Sequence, residues 1–455
     1  MKIYIPRKSV SESEYIVRHV FERSFEDLSF TIEVTDFDHI SIIHDNKVLT
    51  LNASFFCSVN DMWCMEGTLP DSCNYIDLSS ISASYYKLPV IFGELKVKIS
   101  KDRIDCDFDI FGTIFFFLTR YEEAVSTVGL DGHGRYSASE SIAYKLGFLE
   151  RPIADEYIGL LTSFMLKLWP TLTLKKVQNQ TFVTCDVDWP FDPNSQSFKA
   201  TLRSSFGDIV KRKNVFLAIN RWIHLISNKL NVPYSDRARS KVSWIMDVNE
   251  EVGNKVAFYF ITECTDKKYD SAFDFDSSKI RKLLNEIHSR GHEIGLHPGY
   301  NCFTRPDLFK KSANTLKRVL EEEGIYQPVL GGRMHYLRWD AKTTPKLWDD
   351  NGFDYDSTLS FADKSGFRCG TCHPFPMYDL LNRKPLKVIQ RPLINMESTI
   401  IAPRYEGLGY SKLTLERFNY FKNIVKDNNG EYVLLWHNTH FENELDESIY
   451  SNIID

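Results

Sequence analysis

The feature that most constrains this chain is an alternation that begins near residue 180, where short β-branched and aromatic runs take turns with stretches of helical period. Thr181-Phe182-Val183-Thr184-Cys185 opens the series, a strand that runs straight into Asp186, Asp188 and Pro190. Further strands are predicted at 255–261, 292–298, 328–333, 387–390 and 431–436. Between them helices are predicted at 238–249, 277–290, 307–323, 344–350 and 414–426, with Gly291 and Asn351-Gly352 as stops. Residues 198–230 read as a helical insertion of mixed charge. Repeated βα units build a parallel sheet or a barrel, and such folds keep their chemistry at the C-terminal ends of the strands.

The first third of the chain reads differently. A strand at 2–5, a helix at 12–25 and a series of short strands over 30–58 precede an apolar run at 113–121, which predicts a buried helix. Phe115-Phe116-Phe117 in that run is core packing and not a ligand box. No titratable groups converge in this block, so it is assigned no chemistry. Glu150-Arg151-Pro152 marks a joint, and a helix at 154–169 ends at Pro170. The expected organisation is a smaller α/β domain over 1–150, a helical linker over 151–178 and a distorted or incomplete (β/α) barrel over 179–455. A chain of 455 residues is long enough for two or three domains.

Composition narrows the function classes. Hydrophobic residues at 43% are enough for large cores and exclude wholesale disorder. With a net charge of −6 and no extended basic block, nucleic acid is not expected as a partner; Lys211-Arg212-Lys213 reads as a solvated helix face. The first residues lack the apolar run of a signal peptide, and no stretch approaches the ~20 apolar residues of a membrane span. Nine scattered cysteines suit free thiols in a reducing compartment, so the expected location is cytoplasmic.

The chemistry-bearing residues stand at predicted strand ends: Asp186 and Asp188, then His297, Arg333 with His335, and His437. Side chains alternate along a strand, so Asp186 and Asp188 point the same way. Two neighbouring carboxylates there call for a cation or a division of labour. His292, five positions before His297, faces the opposite side and reads as structural. Cys369-Gly370-Thr371-Cys372 followed by His373 falls short of a zinc site, which needs about four ligands, and reads as a tight turn.

In this order the motifs resemble those of the polysaccharide deacetylase family, the NodB-like carbohydrate esterases, over about residues 180–440. Cys185-Asp186-Val187-Asp188-Trp189-Pro190 looks like the family's Asp-x-Asp motif, which implies Asp186 as base and Asp188 as metal ligand. The stretch from Gly291 to Asn301 resembles the second motif; His297 matches its first histidine, and Asn301 stands where the second is expected. Gly331-Gly332-Arg333-Met334-His335-Tyr336 resembles the third, implying that Arg333 orients the base and that a main-chain amide near Tyr336 holds the oxyanion. Leu435-Trp436-His437 resembles the Leu-x-His motif, whose histidine protonates the leaving amine. The layout is also similar to a branch with an extra N-terminal domain. That branch carries a Tyr-Asp-Ser motif and a Gly-Phe-Arg-Cys-Gly-Thr run, here at 355–357 and 366–371, which places Asp356 on the substrate side.

The resemblance implies a metal-dependent hydrolase that removes N-acetyl groups from a sugar or glycan. The expected cofactor is a divalent metal, zinc first, with cobalt or nickel as substitutes. Imidazole suits zinc better than an amide oxygen, so His335 is expected as the third ligand, with Asn301 as the alternative. Two other classes stay open at this point: a degenerate barrel that binds glycans without turning them over, and a glycosyltransferase using Asp-x-Asp on a nucleotide sugar. Bound metal with acetate release separates the first class from both.

Overall fold

A computed structural model describes residues 1–79, 87–126, 128–193, 198–210, 215–230, 236–441 and 444–455. The run Lys211-Arg212-Lys213, expected on a helix face, lies outside the described residues. Two large sheets organise the chain, and both are built mainly from strands that read as such in sequence.

The first sheet draws on β1 (Lys2–Pro6), β2 (Thr31–Thr35), β3 (His39–His44), β4 (Lys47–Asn52), β7 (Gly93–Ile99) and β8 (Arg103–Phe108), in the order β2-β1-β3-β4-β8-β7. Strands β5 (Asn74–Asp77) and β6 (Lys87–Val90) form a separate antiparallel pair. The strand series expected through residue 58 stops early, because Ser54–Val59 is helical (α2, after α1 at Val10–Ser24). One buried carboxylate explains this. Asp109 accepts from Phe55 N at 2.9 Å and from Gly112 N at 2.7 Å, so it holds the start of α2 and caps α3 (Ile110–Leu118) together. Burial raises its carboxyl to about 7. Every residue of α3 is buried, and the helix ends at Leu118 because Arg120 takes a left-handed conformation, φ 55°. Two short helices, α4 (Tyr121–Val125) and α5 (Ile142–Lys145), lead to α6 (Ile153–Leu168). The stretch expected as a linker is therefore a structural layer. Leu160, Leu161, Phe164 and Met165 of α6 are fully buried, because the helix is apolar on two faces and packs between α3 and β4.

The second sheet contains β9 (Gln180–Val187), β10 (Val256–Phe260), β11 (Glu293–Leu296), β12 (Gly331–Gly332), β13 (Tyr355–Asp356), β14 (Phe375–Asp379), β15 (Lys384–Gln390), β16 (Asn395–Met396) and β17 (Glu431–Leu435). Its order is β14-β15-β13-β12-β11-β10-β9-β17-β16, parallel throughout except for β14. The connections carry α7 (Phe198–Val210), α8 (Val215–Leu230), α9 (Arg237–Glu251), α10 (Ser278–Ser289), α11 (Pro306–Glu322), α12 (Thr344–Asp350), α13 (Glu397–Ile401) and α14 (Lys412–Asp427), with α15 (Glu444–Ile454) last. Among the described residues no helix is long and apolar enough to cross a membrane.

This sheet is open by hydrogen bonding yet strongly curled. Strands β9 and β13 are four spacings apart, about 19 Å on a flat sheet, but the rings of Phe182 and Tyr355 lie 5.8 Å apart, centre to centre. Further round, Arg391 beyond β15 reaches Glu431 of β17, with Nε donating at 2.9 Å. Glycine permits the curl at β12: a Cβ on Gly331 would sit in the ring of Tyr355, and one on Gly332 against the Leu296 carbonyl. Because the strands are parallel, Asp186, His297, Arg333, Asp356 and His437 all leave the sheet at one edge.

The two sheets share one hydrophobic core, and the 366–373 run joins them. Arg368 donates to Glu123 at 2.7 and 2.9 Å, and Asp155 of α6 accepts from Thr371 Oγ1 at 2.7 Å and Cys372 N at 2.9 Å. Cys372 and His373 thus stand beside a carboxylate that Arg23 already neutralises at 2.8 Å. Glu123 and Arg368 are both almost wholly buried. Arg368→Met leaves Glu123 with only Arg120 and is expected to lower stability by about 3 kcal/mol in urea unfolding. A loss below about 1 kcal/mol would show that this junction does not depend on the pair.

Candidate active site

The site is built on the end of β9. Asp186 is buried, and Arg333 Nη1 donates to its Oδ1 at 2.8 Å. The same guanidinium is fixed on its other sides, by Thr184 Oγ1 at 2.9 Å and by Ser357, whose carbonyl accepts from Nε at 2.8 Å. Two residues on, Asp188 faces a pair of imidazoles. His297 Nε2 and His335 Nε2 each lie 3.6 Å from Asp188 Oδ1.

Hydrogen bonds on the far side of each ring set the tautomer. His297 Nδ1 lies 2.6 Å from the Arg333 carbonyl, which can only accept, so Nδ1 carries a proton and Nε2 is the nitrogen left to hold a cation. His335 Nδ1 lies 2.7 Å from Asp270 Oδ1. Asp270 is an acceptor on all sides, taking Thr265 N, Thr265 Oγ1 and Tyr300 N at 2.7 Å each. Burial alone would raise its carboxyl, but these donors and His335 hold it down at about 2. His335 Nδ1 therefore carries a proton, and Nε2 is the nitrogen left facing Asp188. Asp188 Oδ1 and His297 Nε2 are buried and have no hydrogen-bond partner among the described residues. Burial opposes the charge on Asp188, yet with no cation bound a hydrogen bond from His297 and positive charge on the facing imidazoles outweigh it and keep its carboxyl below the ordinary range. Three ligand-type atoms within 4.8 Å of one another, two of them orphaned, are what a divalent cation would satisfy.

Asn301 takes no part in this cluster. Its backbone N donates to Thr265 Oγ1 at 2.9 Å and its amide to the Thr265 carbonyl at 3.0 Å, which turns the side chain away. Asp356, expected on the substrate side, is fully buried and does not line the cleft, because both of its oxygens are turned back onto Thr358. His292 is structural, accepting from Val256 N and meeting Glu250.

His437 stands across the cleft from the imidazole pair, its Nε2 4.0 Å from Asp186 Oδ2. Its Nδ1 is held at 2.5 Å by Glu397, a residue that sequence reasoning misses because β16 before it is only two residues long. Burial works against the imidazolium, but the Glu397 carboxylate outweighs it and raises His437 to about 10. Glu397 also meets His440 Nδ1, at 2.6 Å.

The cleft above these groups has a volume of about 460 Å³. Tyr269, Tyr336 and Tyr405 give it aromatic walls, and Leu337, Met396 and Leu435 an apolar patch. Arg135, from the first third of the chain, closes one side. It donates to the Tyr336 carbonyl at 3.0 Å and to Tyr405 Oη at 3.1 Å, with Asp131 as counter-charge at 2.8 Å. Tyr336 and Leu337 are consecutive non-glycine residues at φ 62° and 55°, a strain of about 1–3 kcal/mol each that surrounding contacts must hold. Tyr336 N–H has no acceptor among the described residues. The block assigned no chemistry thus braces the loop that carries the free amide.

Residues 1–170 match a family of unknown function (DUF7033). No curated protein matches the chain. Among solved structures, it is similar to one described as a polysaccharide deacetylase from Mycobacterium smegmatis, at 18% identity and a TM-score of 0.40, covering 63% of this chain and 84% of that one. It is also similar to Puue allantoinase, at 12% identity and a TM-score of 0.37, with 63% and 85% covered. A structure from Pseudomonas aeruginosa PAO1, again described as a polysaccharide deacetylase, matches at 10% identity and a TM-score of 0.37, with 61% and 84% covered.

The charge on His437 is directly measurable. Its imidazole is expected to titrate near 10 by NMR, and in Glu397→Gln to fall back toward the ordinary value of about 6.5. A wild-type midpoint that Glu397→Gln leaves in place would remove Glu397 as the cause.

Proposed function

We propose that this chain is a divalent-metal-dependent amide hydrolase that removes an N-acetyl group from an N-acetylated sugar or glycan, on a curled sheet that acts as an incomplete (β/α) barrel. The observation that carries this reading is the separation of two adjacent carboxylates into different settings. Asp186 is tied to Arg333, whereas Asp188 faces two imidazole nitrogens and its Oδ1 has no hydrogen-bond partner among the described residues.

Asp188, His297 and His335 would hold the cation, with zinc favoured by two imidazoles and one carboxylate, and cobalt or nickel as substitutes. When bound, the cation polarises the scissile carbonyl and makes a water beside it more acidic. Asp186, oriented by Arg333, takes the proton from the attacking water as a carbon–oxygen bond forms. The free N–H of Tyr336 donates to the oxygen that becomes negative, and its brace by Arg135 keeps that donor in place before the reaction begins. His437, charged through neutral pH, gives its proton to the departing nitrogen as the carbon–nitrogen bond breaks, leaving acetate and an amine. Tyr269 and Tyr405 offer faces for a sugar ring, and the Leu337–Met396–Leu435 patch suits an acetyl methyl group.

A glycan-binding barrel without turnover is favoured where the third ligand is missing at Asn301, a role that His335, 3.6 Å from Asp188, would fill. An Asp-x-Asp glycosyltransferase would give no task to the His437–Glu397 pair.

The test is acetate release from a panel of N-acetylhexosamine oligomers and conjugates with added zinc, cobalt or nickel. Asp186→Asn is expected to retain metal and lose about 10²- to 10⁴-fold in turnover. Asp188→Asn is expected to lose both. Full turnover in Asp186→Asn would end this mechanism, and no metal uptake with no turnover on any substrate would return the chain to the glycan-binding reading.

The alkaline side of the rate profile follows from His437. A proton donor raised by Glu397 is lost only as pH climbs through about 10, so Glu397→Gln should move the fall in rate toward neutral pH. An unmoved alkaline limb would exclude His437 as the acid.

A further inference from the structure

The helices α7 and α8 pack as a hairpin; α7 has its polarity inverted, whereas α8 buries Ala218 and Leu225 beside Arg221. On α7 the residues turned inward are Thr201, Ser205 and Asp208, all buried. Arg221 of α8 is buried against them, donating to Asp208 at 2.6 Å and to Asp192 at 2.6 Å. The outward stripes are apolar. Leu202, Phe206 and Ile209 recur at helical spacing on α7, and Phe216, Ile219 and Ile223 do the same on α8. Phe206 is 70% exposed and Phe216 81%. A helix facing water does the reverse, and a contiguous apolar face of this kind marks a surface that meets something other than water.

Charge indicates what that is. In sequence, residues 198–230 carry seven Lys/Arg against a single acidic residue, Asp208, which Arg221 neutralises; of these Lys199 and Arg203 are exposed at helical spacing from Leu202 and Phe206. The insertion is therefore basic, not mixed, in a chain of net charge −6. Large apolar side chains together with lysine and arginine, on helices too short to span, are the composition of an element that lies in the plane of a bilayer interface. A second copy fits less well, because a two-fold contact between hairpins would set both basic surfaces against each other, whereas anionic headgroups compensate them.

We propose that the α7–α8 hairpin docks this protein on the surface of a bilayer containing anionic lipid. Its base is fixed to the loop that leaves β9 by the Arg221–Asp192 pair, and Trp189 of that loop lines both the active cleft and the smaller cleft that Arg221 borders. Docking there sets the catalytic edge of the sheet beside the membrane. Docking of the hairpin is independent of which reaction the cleft performs.

Co-sedimentation of the full chain with vesicles tests it. Vesicles of phosphatidylglycerol and phosphatidylcholine should carry the protein down, less so as salt rises, and phosphatidylcholine alone should carry little. The pair Phe206→Ser and Phe216→Ser should weaken binding by about a hundredfold. The pair Lys199→Glu and Arg203→Glu should weaken it by about tenfold or more. All four side chains are exposed, so circular dichroism and the thermal midpoint should stay unchanged, and if the Phe pair misfolds the charge pair still tests the same contact. No sedimentation with anionic vesicles, or binding that the folded variants retain in full, would overturn the proposal. A dimer in light scattering that the Phe pair dissolves, without vesicle binding, would assign the face to a second copy and overturn it as well.

Discussion

Two carboxylates leave the end of one strand, and His297 Nε2 lies 3.6 Å from an oxygen of each. Like charges held that close and away from water cannot both remain ionised unless each has its own compensation. Much of the structure around β9 supplies it. Arg333, buried to its tip and anchored by Thr184 and Ser357, answers Asp186. Two imidazoles answer Asp188, each locked by an acceptor behind it, the Arg333 carbonyl for one and Asp270 for the other. Without a cation the same arrangement draws a proton: burial lowers His297, but Asp186 and Asp188 outweigh it and raise it above its ordinary value. Metal binding at such a site competes with that proton and is pH-dependent for this reason.

The compensation needs strands from across the sheet to meet at one edge, and the curl provides that. Glycine at 331 and 332 lets β12 run under Tyr355, and the Arg391–Glu431 contact joins strands that a flat sheet would hold about 29 Å apart. The first third of the chain completes the arrangement from outside. Arg135 holds the left-handed Tyr336–Leu337 pair in place, and the buried Arg120–Glu123–Arg368 group ties that block to the 366–373 run. The N-terminal block is thereby a wall of the cleft as well as a neighbour of it.

How much of this is legible in sequence depends on the scale of the signal. Period-2 alternation puts Asp186 and Asp188 on one face, and the order of strand ends groups His297, Arg333, His335 and His437 with them. A strand of two residues announces nothing, which is why Glu397 after β16 stays hidden. Asp270 sits in a loop with no periodicity at all, and Arg135 acts from a segment far away in sequence. A motif position gives chain order but not side-chain direction, and Asp356 illustrates the difference: its backbone is at the site edge while its carboxylate turns back on Thr358. The same holds for α6, which reads as a linker in sequence but buries a second apolar face. On α7 and α8 the helical stripe is plain, but a stripe does not say whether it faces the core or the surroundings.

One carboxylate and two imidazoles, His335 among them, are proposed to form a single cation site next to an independent base. An anomalous-difference map at the zinc edge, from crystals grown with the metal, addresses it most directly. A single peak is expected within about 2.0–2.2 Å of an Asp188 oxygen and of Nε2 on both His297 and His335, with Asp186 left on Arg333. A peak that takes its third protein ligand from Asn301 with His335 turned away, or one that lies elsewhere in the chain, would contradict it.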